Sequence, residues 1–368
     1  MDDSLPTVFG SGDGEVCFIF TFLEFLMKKS FIALAVLAVS GVASAQSSVT
    51  LYGLVDAYVG SSKVKVSTPG AASSSLRQSV VDSGGFNTSR FGFKGSEDLG
   101  GGLKANFVLE AGFDASTGAA NSYTNPFTGA VSSSTFGRNS WVGLSGGFGE
   151  VKLGKMWTPY DEVKGSGAAA FDANIFAPAT NVWLSNNYQD RPGNAIYYST
   201  PSFSGFSAAG MYSFGENKAP GVDAGKILSA NVQYANGPIA AAVSYQTEKA
   251  TGATTATKFT QVNGSYDLGA AKLLAAVGHV KDGSDKSKEF QVGVDVPLGA
   301  VTVSGGVARA KLTGPGGEVK STGFGLAAKY DLSKRTFLYT GLQLSKNEVV
   351  GAGDIKTDTF AVGVQHKF

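Results

Sequence analysis

Apolar and polar residues alternate with period two along nearly the whole of this chain. In the closing segment TFAVGVQHKF, Phe360, Val362, Val364, His366 and Phe368 share one parity; Thr359, Gly363, Gln365 and Lys367 share the other. In EFQVGVDVPLG, Phe290, Val292, Val294 and Val296 oppose Glu289, Gln291, Gly293 and Asp295. In LKANFVLEAGF, Ala105, Phe107, Leu109 and Ala111 oppose Lys104, Asn106, Val108 and Glu110. A strand sends successive side chains to opposite faces, whereas a helix would repeat at i, i+3, i+4. Chain ends usually fray. A terminal segment that keeps its alternation up to a final Phe therefore has a partner strand and two different solvents, one on each face.

Turn signals count the strands. Tight turns fall at DLGGG (98–102), GGFG (146–149), PSFSG (201–205), NGP (236–238), DLGA (267–270), PLGA (297–300) and DLSKR (331–335). Most carry the glycine that a tight hairpin needs. Between these seven turns stand longer polar segments, such as 116–135 and LTGPGGEVKS (312–321). Seven short turns and eight long loops join sixteen strands. The expectation is an all-β, transmembrane, antiparallel up-and-down barrel of sixteen strands, with both chain ends on the short-turn side. VTLYGLVDAYVG (49–60) is the first strand, and the last must pair with it, because lipid tolerates no unpaired edge. At roughly 10 residues per strand, about 160 residues are consumed and the remainder suffices for loops.

The amino-terminal region reads differently. MKKSFIALAVLAVSGVASA (27–45) has a basic start, an apolar run and a small-x-small end, which together make a cleaved export signal. Residues 1–26 then read as an over-extended gene start, and 46–368 as a single barrel domain. A transmembrane helix over 16–42 would be interrupted by Glu24, Lys28 and Lys29. Residues 46–368 hold 28 Lys and Arg against 24 Asp and Glu, too mild an excess for nucleic-acid binding. The single cysteine, Cys17, lies upstream of the signal, which excludes disulfides and thiol chemistry from the exported part.

Catalytic motifs find no context. GLSGG (143–147) matches a nucleophile elbow in letters, but a hairpin stands where a strand-to-helix turn is required. GGGLKA (100–105) leads into a strand where a dinucleotide fingerprint needs a helix. His279 and His366 have no ligand spacing around them. No cofactor, metal or enzymatic activity is expected.

Several segments in order, QSSVTLYGLVDAYV, TSRFGFKGSEDLGGGLKANFVLE (88–110), WVGLSGGFGEVKLGK (141–155) and the terminal VGVQHKF, resemble the general diffusion porins of Gram-negative bacteria, in the group from Burkholderia, Bordetella, Comamonas and Neisseria relatives. The resemblance covers the whole of 46–368. It implies a multi-pass outer-membrane protein, usually a homotrimer, surrounded by lipid, with its third long loop folded into the lumen. It also implies that Phe368 is part of a signal read by the barrel-assembly machinery. The third loop, about 158–189, is long, and its aromatic and small apolar content argues against disorder.

Family porins set basic wall residues against acids on that loop. By motif position, Arg90 and Arg191 match wall arginines, Lys155 stands where many relatives have Arg, and Arg138 is a further candidate. Asp161, Glu162 and Asp172 are the loop acids. Parity supports Arg90 and Arg191 on the lumen side, but it puts Arg138 and Lys155 on the lipid side unless a bulge intervenes. The function implied is a water-filled channel for passive diffusion of ions and small hydrophilic solutes, with a weak preference for anions. The alternatives are a barrel acting mainly as an adhesin or surface antigen, and an outer-membrane enzyme, which would need a catalytic constellation that is absent from the sequence.

Overall fold

A computed structural model describes residues 48–368, apart from 126, 128 and 216–218. The expected leader and the stretch before it lie outside the described residues. Strand segments follow in the order β1 (Ser48–Ser67), β2 (Ser74–Ser83), β3 (Arg90–Gly100), β4 (Leu103–Gly112), β5 (Ser122–Thr124), β6 (Val131–Ser133), β7 (Asn139–Gly146), β8 (Gly149–Lys155), β9 (Ala195–Ser199) and β10 (Phe206–Phe214). They continue as β11 (Lys226–Asn236), β12 (Ile239–Lys249), β13 (Thr257–Asp267), β14 (Lys272–Asp282), β15 (Asp285–Leu298), β16 (Val301–Gly314), β17 (Gly317–Asp331), β18 (Thr336–Val349) and β19 (Gly353–Lys367).

Neighbours pair antiparallel all the way round, and β1 pairs with β19 to close the ring. β2 and β3 both lie along β1 and form one stave broken at 84–89, while β5 and β6 pair only with each other in a loop. The result is a closed barrel of sixteen staves.

Alternation decides the two faces. On β15, Phe290 and Val292 are 45% and 49% exposed, while Glu289 and Gln291 between them are 4% and 3% exposed. On β19, Phe360, Val362 and Val364 are exposed, and Ala361 and Gln365 are buried. The apolar set faces out, toward lipid, and the polar set faces in.

At the seam Leu54 stands opposite Lys367. The Gly53 and Phe368 backbones exchange two hydrogen bonds, 3.2 and 3.0 Å long. The Phe368 ring lies so close over Gly53 that a Cβ there would collide with it. An aromatic ring covering a cross-strand glycine is a known way to stiffen a glycine-rich sheet.

The break in the second stave has a cause. Asp56 on β1 is fully buried, and its carboxylate accepts from the Asn87 N–H at 3.0 Å, the Phe86 N–H at 3.5 Å and the Tyr339 hydroxyl at 2.6 Å. Its carbonyl accepts from the Gly84 N–H at 2.9 Å. Amides that left the ladder are thereby satisfied, as buried backbone groups must be.

All seven tight turns fall where the sequence places them. The opposite end departs from the expectation of eight long loops. LTGPGGEVKS is strand, turn and strand: Gly314 pairs with Gly317, leaving a two-residue Pro315-Gly316 turn. The β14–β15 hairpin closes equally tightly over 283–284, and β18–β19 with one residue more over 350–352. Beyond the apolar band water meets both faces, so a paired ribbon there loses its alternation and reads as loop.

Deleting Phe368 removes both backbone bonds to Gly53, whereas Phe368→Asp keeps them, removes the ring and adds a carboxylate on the lipid parity. Both should lower the yield of heat-modifiable barrel, the deletion more, because each lost bond is worth about 1 kcal/mol. Unchanged yields of both variants on unheated gels would show that the seam does not depend on the last residue.

Candidate functional site

Between β8 and β9 the chain makes its longest excursion, 156–194. It opens with a short helix, α1 (Pro159–Lys164). Thr158 caps the helix, accepting from the Asp161 N–H at 3.3 Å. Pro159 starts it, and Asp161 and Glu162 occupy the first turn, where the helix dipole favours acids. Ala170, Phe171 and Asp172 then follow one another with φ of 52°, 63° and 49°, a left-handed run that costs roughly 1–2 kcal/mol per residue for non-glycine side chains.

Contacts to the polar face of many staves offset that strain. The Ala170 N–H donates to Ser304 Oγ at 2.7 Å, and the Tyr160 N–H to Ser229 Oγ at 3.0 Å. Asn231 Nδ2 donates to the Pro159 carbonyl at 2.7 Å, and Gln343 Nε2 to that of Thr180 at 2.9 Å. Glu289 accepts from the Leu184 N–H at 2.8 Å and from Ser185. Asn174 and Ile175 donate their N–H groups to Phe86 and Gly85 in the broken stave, both at 3.2 Å. Close approach is possible because the wall is flat there. A Cβ on Gly293 or Gly306 would strike Ala169, and one on Gly323 or Gly325 would strike the backbone of Pro178 or Phe176.

Facing this segment is a charged cluster. Glu110, 5% exposed, lies 2.8 Å from Arg138 Nε and 3.7 Å from Arg90 Nε, and it also accepts from Asn139 and Tyr52, each at 3.0 Å. Arg191 stacks on Trp157, with Cζ 3.3 Å from the ring centroid; Arg138 approaches the same ring at 5.7 Å. Asp190 holds Arg191 at 2.7 Å. A cavity of 440 Å³ joins Arg90, Glu110, Arg138, Trp157, Asp190 and Arg191 to Asp161, Glu162, Lys164 and Asp172.

Environment alters the loop charges. Burial pushes the Asp161 carboxyl up to about 7, against the opposing pull of Lys164 and the Tyr188 hydroxyl bond. Burial also raises Asp172, with Lys164 opposing. Glu162 is raised by its enclosure although its side chain still reaches solvent; the Tyr197 hydroxyl donates to it at 2.9 Å. Burial lowers Arg191 to about 10, which leaves it charged at neutral pH.

Six of the residues singled out in the sequence, Arg90, Arg138, Arg191, Asp161, Glu162 and Asp172, line this one cavity. The parity objection to Arg138 is corrected by the strand boundary. β7 begins at Asn139, so Arg138 precedes the regular alternation, and both residues reach Glu110. Lys155 is not among the residues that line this cavity. Its Nζ donates to the Arg191 carbonyl, so it holds the returning end of the loop. Glu110, Trp157, Lys164 and Asp190 were not singled out. Glu110 was legible, since it shares the polar parity of Lys104 and Asn106; Trp157 was not, because a stack across the loop leaves no periodic trace.

A closed barrel, apolar outside and polar inside, with facing charges around an internal cavity, defines a membrane channel rather than a soluble enzyme. A profile of the Gram-negative porins matches residues 32–349. The chain is 34% identical to outer membrane porin protein 32 of Delftia acidovorans, over 93% of this chain and 100% of that one. An outer membrane porin of Bordetella pertussis is 31% identical with the same coverage. Among solved structures, an anion-selective porin from Comamonas acidovorans superposes with a TM-score of 0.69 at 28% identity, covering 88% of this chain and all of that one. OmpT of Vibrio cholerae shares the fold at 13% identity and a TM-score of 0.63. The chain belongs to the Gram-negative porin family, whose members are outer-membrane channels and not enzymes.

Removing the Glu110 charge tests the cluster. Glu110→Gln leaves Arg138 and Arg90 without their counter-ion, and destabilisation of about 1–3 kcal/mol should follow. A lower unfolding midpoint in denaturant is the expected reading, and a midpoint equal to wild type would show that Glu110 does not hold the cluster together.

Proposed function

We propose that residues 46–368 form a water-filled channel for passive diffusion of ions and small hydrophilic solutes, with the loop 156–194 lying across the lumen as its constriction. The observation that carries this reading is the 440 Å³ cavity in which wall arginines face loop acids. Opposed charges at a narrow point set ion preference, and low-dielectric walls focus their field. Glu110 is matched by Arg138, and Asp190 by Arg191. Arg90 and Lys164 then stand against Asp161, Glu162 and Asp172, whose carboxyls all hold protons more tightly than usual. The tally is close, two cations against three acids whose charge burial weakens, and the weak anion preference we propose rests on the likeness to an anion-selective porin. Export by a leader cleaved before Gln46, assembly directed by Phe368, and a homotrimer complete the proposal.

Planar-bilayer recording tests it. Arg90→Gln/Arg191→Gln should move the zero-current potential in a salt gradient toward cations, and strong salt should erase the difference, since screening acts within roughly 8–10 Å. Shortening the loop should raise single-channel conductance. A purified barrel without conductance would favour the adhesin reading, and wild-type values in both variants would place the constriction elsewhere.

Protonation gives a separate check. As pH falls through about 7, Asp161 loses its charge and the cavity becomes more positive. Anion preference should therefore rise on acidification, and Asp161→Asn should abolish that part of the response. The same raised carboxyl favours the folded state below its titration point, so this contribution to stability declines as pH rises through about 7. A reversal potential flat across this range would show that Asp161 does not contribute to selectivity.

A further inference from the structure

A second cavity, of 680 Å³, is larger than the charged one. It lies between residues 172–187 of the loop and the inward faces of β15 to β19. Ser321 and Asn347 on its wall stand near the long-loop ends of β17 and β18, so it occupies the long-loop side of the barrel. Lys164, Asp172 and Asn174 line both cavities, which makes the two neighbours.

Its chemistry is different. Lys164 and Asp172, at the junction, are the charged members of its lining; the rest is amide, hydroxyl and apolar. Asn347 Nδ2 donates to the Asn181 carbonyl at 3.0 Å, Asn174 Nδ2 to that of Gly84 at 2.8 Å, and Asn186 Nδ2 to that of Ala179 at 3.4 Å. These bonds fix three amides through their nitrogens. Each Oδ1 is left without a donor among the described residues. Asn181 itself sits at φ 60°, a left-handed conformation that Asn tolerates better than most residues. Among the described residues, the side chains of Asn181, Asn187, Ser321 and Thr357 make no hydrogen bond within the protein.

The wall beneath adds an apolar floor. Leu312 on β16 stands directly opposite Val319 on β17, and Ala310 opposite Ser321. All four take the inward parity, which elsewhere on these staves carries small or polar residues such as Ser304 and Ala308. An apolar cross-strand pair facing the lumen has only water as its other neighbour there.

We infer that this cavity is a binding subsite for neutral polyhydroxylated solutes of mono- to disaccharide size. That such a solute meets the subsite on its way to the constriction rests on the channel function proposed above. Free amide oxygens call for a ligand that donates, and hydroxyl groups both donate and accept. A small carboxylate anion or a polyether has acceptors where donors are needed. The C–H faces of a sugar ring lie on Leu312 and Val319. The volume falls within the roughly 300–1,000 Å³ of small-molecule sites. Amides already fixed by the protein lose little freedom on binding, which lowers the cost of holding the solute.

Titration calorimetry of the full barrel in detergent, with sucrose as the probe, tests the subsite. Wild type should show saturable binding at roughly millimolar sucrose. Gluconate, and polyethylene glycol of the same mass, should show none. Asn181→Gly/Asn187→Ala removes two amides while glycine keeps the left-handed backbone, and it should weaken sucrose binding by about fivefold or more. Thr357→Val keeps the shape of its side chain and reports a smaller loss if the loop variant assembles poorly. In planar bilayers, sucrose should interrupt the open-channel current more often in wild type than in either variant. Calorimetry needs no conductance, so a silent barrel that still binds sucrose would sink the channel reading and keep the subsite. Absence of saturable sucrose binding to wild type, equal binding of gluconate or polyethylene glycol, or undiminished affinity in both variants would each overturn the inference.

Discussion

Inside a bilayer no water is present to satisfy a backbone N–H or C=O, so every such group must find its partner within the protein. That constraint accounts for the β1–β19 seam, where fourteen residue pairs from Leu54–Lys367 to Ser67–Asp354 close the ring. It also accounts for the way the chain handles its one broken stave. The amides released at 84–87 are met by Asp56, and the carbonyls of Gly84, Gly85 and Phe86 by Asn174 and Ile175. The position where the wall opens is thus the position where the long loop is fastened.

Packing turns the same rule into a shape for the site. Loop backbone groups that would otherwise be orphaned are taken up by polar side chains of the wall: Ser229 and Asn231 at the start of the helix, Ser304 at Ala170 and Glu289 at Leu184. Glycines at Gly293, Gly306, Gly323 and Gly325 let the loop lie flat against the strands. The left-handed run at Ala170–Asp172 is held by these contacts, and it leaves Asp172 beside the charges of the wall. Precise placement of a few charges follows from many neutral contacts.

Much of this was legible in the residues. Phe290, Val292, Phe360 and Val362 declared the lipid face through their period of two, and the seven tight turns gave the stave count. Arg90 and Arg191 followed from the family likeness with the same parity in support, and the loop acids from the likeness alone. Other features carried no periodic signal. Arg138 defied parity because it sits one residue before its strand begins, and Lys155 bonds to a carbonyl that only the folded loop brings near. LTGPGGEVKS read as a loop because its strands stand in water on both faces. The glycines beneath the loop were visible as inward-parity residues, but nothing in the sequence says which segment covers them.

Fold and function meet in one division: polar parity lines water, apolar parity meets lipid, and in the function we propose the loop acids stand in the ion path. Residues 46–368 contain no cysteine, so single cysteines can be introduced there at Asp161 and at Val292 without background. A charged, membrane-impermeant thiol reagent added during single-channel recording tests the division directly. Asp161→Cys should show a stepwise fall in current on labelling, and Val292→Cys should show none. Block at Val292→Cys, or an unaltered current after confirmed labelling of Asp161→Cys, would contradict that division.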